Sequence, residues 1–226
     1  MTTYYLINGG LGTLSGLILF FLAIHHLKVR SEFDKKDIHK RIQNVKFAAV
    51  WIFVTTLMFL VIAYCEQERL DGSLYTYWQL VRAFIFAMLA IDVSAVDLLI
   101  RRIPNASLLG MLILESINIG FEVWLGQDII DMIIRALLGA VIAYVIFSLP
   151  SMFNLTVGAG DLKFSIVIGF MLGYRNFFEA MAVMAFATLI FWGYLTILKK
   201  GNLKTQSPMG PFLGVGTVAA ILFPIF

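Results

Sequence analysis

The sequence predicts an all-α, polytopic membrane protein, and three observations predict it. Of the 226 residues 60% are hydrophobic and only 14% charged, where a soluble domain would be nearer a quarter charged. Mean hydropathy is +0.89. The apolar residues also gather in runs of about 20, the length that crosses a bilayer core as a helix. Inside lipid every backbone N–H and C=O needs an internal partner, so these runs are helices rather than strands of an open sheet.

Taken in order, the runs place spans near residues 7–27, 47–65, 77–100, 106–125, 130–147, 164–172, 177–197 and 209–226, about eight in all. The sixth is short and needs its flanking residues. The first ten residues hold no Lys or Arg, so a cleavable signal peptide would lack its basic start and the first span is expected to be retained. Residues 1–76 then form an N-terminal two-span region, and residues 77–226 a six-helix core. Between the first two spans lies the one strongly polar stretch, residues 28–46. It carries Lys28, Arg30, Lys35, Lys36, Lys40, Arg41 and Lys46. This loop is too short for a folded domain and reads as an amphipathic surface helix that sets orientation.

Alternate loops separate by charge. Arg101 and Arg102 follow the third span, Lys163 follows the fifth, and Lys199, Lys200 and Lys204 follow the seventh. With the first loop these make 13 of the 17 basic residues. The opposite loops hold Glu66, Glu68, Asp71, Asp128 and Asp131. Basic loops stay cytosolic, which puts both termini outside. The net charge of +3 reflects this orientation, and no nucleic-acid partner is expected. Cys65 is the single cysteine, which excludes a disulfide framework and a cysteine-based zinc cluster. His25, His26 and His39 show no metal-ligand spacing. No metal or cofactor is expected.

Ionisable groups at or inside a membrane mark candidate functional sites. Asp97 lies near the end of the third span, where Pro104 stops the helix and biases Ile103 away from helical geometry. Arg101, four residues on, offers a helix-end ion pair as the plainer role for Asp97. Asp161 follows Gly158-Ala159-Gly160, whose bare backbone lets another chain approach. Its plainer role is a helix N-cap. Both fall near the cytosolic face. Together they suit peptide hydrolysis by two carboxylates, one ionised to take a proton from water, the other protonated to polarise the scissile carbonyl. Asp92, five residues before Asp97, and Glu115, mid-span in the fourth helix, read as structural acids, with the floor of the site as the alternative. Ser94, Ser151 and Ser165 have no evident His or Lys partner, which leaves a serine mechanism unsupported.

These residues resemble the type IV prepilin peptidases, membrane aspartyl proteases of the GxGD type. The resemblance rests on Asp97 seven residues before the proline of Ile103-Pro104-Asn105, and on residues 158–163, GAGDLK. It also rests on the two spans between them, and on residues 207–216, SPMGPFLGVG, entering the last span. It implies Asp97 and Asp161 as catalytic aspartates, with Gly158, Gly160, Lys163, Pro104 and Asn105 shaping the site or meeting substrate. It implies removal of a short basic leader, lying just before an apolar helix, from pilin-, pseudopilin- or archaellin-like precursors at the cytosolic face. The expected partners are those membrane-borne substrates and the bilayer.

One departure stands out. Many bacterial members carry paired CxxC motifs and an associated N-methyltransferase activity between their first two spans, where this chain has residues 28–46 without cysteine. Protease activity alone is expected here. The nearest rival is a presenilin-like GxGD protease, but Val96, not Tyr, precedes Asp97. An ion- or proton-coupled transporter using Asp92, Asp97, Glu115 and Asp161 as a relay is a second alternative. It would favour inverted repeats, and none is evident. A non-catalytic assembly factor is a third, and would survive loss of either aspartate.

Overall fold

The computed structural model of the chain describes residues 2–29, 45–67, 73–152, 158–197 and 209–223. Among them run seven α-helices: α1 (Thr2–Val29), α2 (Val45–Gln67), α3 (Leu74–Ile100), α4 (Asn105–Trp124), α5 (Ile129–Met152), α6 (Ala159–Ile197) and α7 (Gly210–Leu222). The first six are long and apolar enough to cross a membrane. The molecule is an all-helical, multi-pass membrane protein. Most of the basic stretch 28–46 lies outside the described residues, as do Lys199, Lys200 and Lys204.

The eight expected spans map onto seven helices because α6 has two arms. Gly173 interrupts it with φ 67° and ψ 174°, a left-handed conformation that glycine adopts without a Cβ clash. The arms, residues 159–172 and 174–197, correspond to the sixth and seventh expected spans. The first begins at Ala159, earlier than the apolar run alone suggests. The eighth expected span is shorter than its apolar run: α7 ends at Leu222, and Phe223 adopts φ −130° and ψ 57°. Pro224 explains the stop, since the residue before a proline is pushed out of helical geometry.

The chain forms two compact units, Met1–Val96 and Asp97–Phe226. In the first, α1 and α2 lie antiparallel. A Cβ added at Gly12 would stand 2.8 Å from Thr56 Cα, and one at Gly16 2.8 Å from Ile52 Cα. Small residues four apart let two apolar helices approach where lipid offers no hydrophobic drive. Phe59 and Phe84 stack with ring centroids 4.4 Å apart.

In the second unit α5 packs along α6, and α6 along α7. Gly139 and Gly169 meet backbone to backbone at the first contact, where a side chain on either would strike the other's carbonyl. Gly216 lies equally close to the Ala180 carbonyl at the second. Phe147, Phe164, Ile168 and Phe177 are buried between the helices, while Leu137, Leu138, Val141 and Leu189 are exposed, as expected of faces solvated by acyl chains.

Candidate active site

Asp97 opens the second unit, on the last turn of α3. Helix α3 ends because Arg101 takes φ 52° while its N–H still bonds to the Asp97 carbonyl at 2.8 Å. Pro104 then starts α4, with φ −72° and ψ 123°, and its carbonyl accepts the Leu108 N–H at 3.4 Å. This sharp exit holds Ile103 and Pro104 buried beneath the site.

The Asp97 side chain is only 5% exposed. Its Oδ2 accepts the backbone N–H of Gly210, the first residue of α7, at 2.9 Å. Arg101 is near enough for its charge to act on Asp97.

Asp161 sits in the first turn of α6, whose opening bond runs from Leu162 N–H to the Gly158 carbonyl at 3.1 Å. It is therefore inside the helix rather than its N-cap. Its carboxylate is half-buried and folds back over Gly158, where a Cβ would come within 2.8 Å of Oδ2. A Cβ at Gly160 would stand 3.3 Å from Ile103 Cβ. The bare glycine backbone thus sets the start of α6 directly against the turn that follows Asp97. The Asp97 charge acts on Asp161.

Of the residues singled out from sequence, Asp97, Asp161, Gly158, Gly160 and Pro104 gather around this turn. Asn105 and Lys163 occupy exposed positions on the first turns of α4 and α6. The deeper acids behave otherwise. Glu115 is buried and accepts a hydrogen bond from Asn118 Nδ2 at 3.2 Å, and the same amide donates to Glu122 at 3.3 Å. Asp92 is buried on α3, about 7.5 Å along the helix from Asp97 and on another face.

Gly210 was not legible as a site residue. The Gly210-Pro211 step marks a helix start, but nothing local says which carboxylate that start will meet. Beside it, Met209 and Phe212 join Met184, Thr188 and Trp192 of α6 in lining an apolar pocket of about 220 Å³.

Two carboxylates gathered at the ends of apolar helices, each backed by glycine, define a multi-pass membrane protein with an acidic centre. A family model, the type IV leader peptidase family, matches residues 83–197, half of the chain and the stretch holding both aspartates. The chain belongs to that family, and is a membrane peptidase. Neither the curated proteins nor the solved structures include a match to it.

Proposed function

We propose that this chain is an aspartic endopeptidase that removes the short basic leader from type IV prepilin-like precursors at the cytosolic membrane face. The observation that carries the reading is the approach of Asp97 and Asp161, drawn together by the Gly160–Ile103 contact. Two carboxylates near enough for one charge to act on the other do not both ionise cheaply, which leaves one ionised and one protonated. That is the state peptide hydrolysis requires. We assign the catalytic work to the six-helix region 77–226.

The side of the membrane follows from charge. Arg101, Arg102 and Lys163 flank the two aspartates, and basic loops remain cytosolic, with both termini outside. The apolar pocket beside Gly210 suits a substrate whose scissile bond adjoins an apolar helix. Methionine linings adapt to varied side chains, which fits a family of related precursors. Gly158, Gly160, Pro104, Asn105 and Lys163 shape the site or meet substrate in this proposal. With Cys65 as its single cysteine, the chain is assigned cleavage without methyl transfer.

The test is cleavage of a prepilin-like precursor in detergent, followed by gel shift and N-terminal sequencing. Asp97→Asn and Asp161→Asn are expected to lose cleavage, and Asp92→Asn to keep it. Cleavage retained by both site variants would return the centre to a transport or scaffolding role.

A further inference from the structure

We propose that the start of α7 is a third component of the active site: the Gly210 N–H positions Asp97 and holds it as the ionised member of the pair, leaving Asp161 to carry the proton. The inference rests on the aspartic reading above and deepens it by dividing the two roles.

Asp97 and Gly210 are 113 residues apart, yet Gly210 N–H donates to Asp97 Oδ2 at 2.9 Å in a buried setting. The first N–H groups of a helix have no acceptor within the helix, so this donor is available by construction. Pro211 follows directly and has no N–H, which makes Gly210 the donor at this corner of the helix. The glycine is not there for its backbone, since its φ lies outside the left-handed range. It is there for space. A Cβ at position 210 would stand 2.8 Å from Asp97 Oδ2, 3.0 Å from its Cβ and 3.2 Å from its Cγ.

A donor aimed at a carboxylate oxygen favours the ionised form. Asp97 also lies at the C-terminal end of α3, the negative end of that helix, so its charge depends on the donor and positive end that α7 brings, together with the nearby Arg101 charge. Asp161 has the positive end of its own helix, but no side-chain hydrogen bond to any described residue. A direct charge-assisted bond outweighs the diffuse field of a helix end. The charge therefore rests on Asp97. In hydrolysis Asp97 takes a proton as water's oxygen bonds to the scissile carbon, and Asp161 gives its proton to the carbonyl oxygen. As the C–N bond breaks, Asp97 passes its proton to the leaving nitrogen. Asp161 recovers one from the diol as the new carboxyl forms.

Met209-Gly210 is the one Met-Gly pair in the sequence. Protein labelled with ¹³C at methionine carbonyls and ¹⁵N in glycine thus gives a single filtered amide signal, that of Gly210. The signal is expected to move upfield in Asp97→Asn, whose neutral acceptor is weaker, and to stay in place in Asp92→Asn. A signal unmoved by Asp97→Asn overturns the proposal whether or not any leader is cut. Separately, Gly210→Ala is expected to lower kcat for a prepilin-like substrate by about tenfold or more, with KM within about twofold. The acidic limb of its kcat/KM profile should move to higher pH. A lower folded yield with an unmoved pH profile marks a structural role and overturns the proposal. Should Gly210→Ala not fold, the amide signal of the otherwise native chain decides. A wild type that cuts no leader, beside an amide that responds to Asp97, removes the division of roles while the contact stands.

Discussion

Asp97 and Asp161 are the same side chain in opposite circumstances. Asp97 is buried at the finishing end of a helix, where the backbone field opposes its charge, and it borrows a donor from a helix more than a hundred residues away. Asp161 is half-buried at the starting end of its own helix and, among the described residues, takes no such bond. The difference teaches that backbone placement can make the two carboxylates of one centre unequal, with the Arg101 charge acting in addition on Asp97. Glycines do most of it: Gly158 and Gly210 leave room for the carboxylates, and Gly160 closes the gap between their segments.

The largest expected effect comes from removing either half of the pair. Asp97→Asn and Asp161→Asn should each lower the initial cleavage rate by about a thousandfold. Their stabilities should part company. Asp161→Asn replaces a neutral carboxyl that has no hydrogen bond to a described residue with a neutral amide, and should leave the thermal midpoint in detergent unchanged or higher. Asp97→Asn weakens the Gly210 bond and should not gain. Equal midpoints for the two would erase the asymmetry.

A middling effect is expected from Gly160→Val. Its side chain would press on Ile103 and push the Asp161 segment away, and a displacement near 1 Å costs about a hundredfold in rate. A rate near wild type would show that the pair does not depend on this contact. The smallest effect concerns Arg101. Its φ of 52° is strained for a residue with a Cβ, and Arg101→Gly should recover about 1 kcal/mol as a higher unfolding midpoint. A lower midpoint would mean that the attraction between Arg101 and Asp97 outweighs the strain.

What could be read from the chain was what is written locally. The eight apolar runs appear as helices or helix arms because lipid leaves them no other structure. The break between the sixth and seventh expected spans falls at Gly173, where the backbone inside α6 takes a positive φ. Pro104 announced the end of α3, and the glycines before Asp161 announced a close approach. The contact between Gly210 and Asp97 was hidden because it joins a helix end to a side chain across 113 residues, and no periodicity or spacing encodes such a pairing. The end of α7 before Pro224 is not written in hydropathy, which continues past the point where backbone geometry stops the helix.

The glycine crossing of α5 and α6 bears on how this chain tolerates change. In a water-soluble protein the large apolar residues are the ones that resist replacement. Here Leu137, Leu138 and Val141 point outward into acyl chains that accept one aliphatic group as readily as another. Gly139 and Gly169 have no such latitude, because each occupies space the other's carbonyl leaves empty. In a saturation mutagenesis map the outward bulky positions Leu137, Leu138 and Val141 would form the permissive background, and Gly139 and Gly169 would stand among the fixed points.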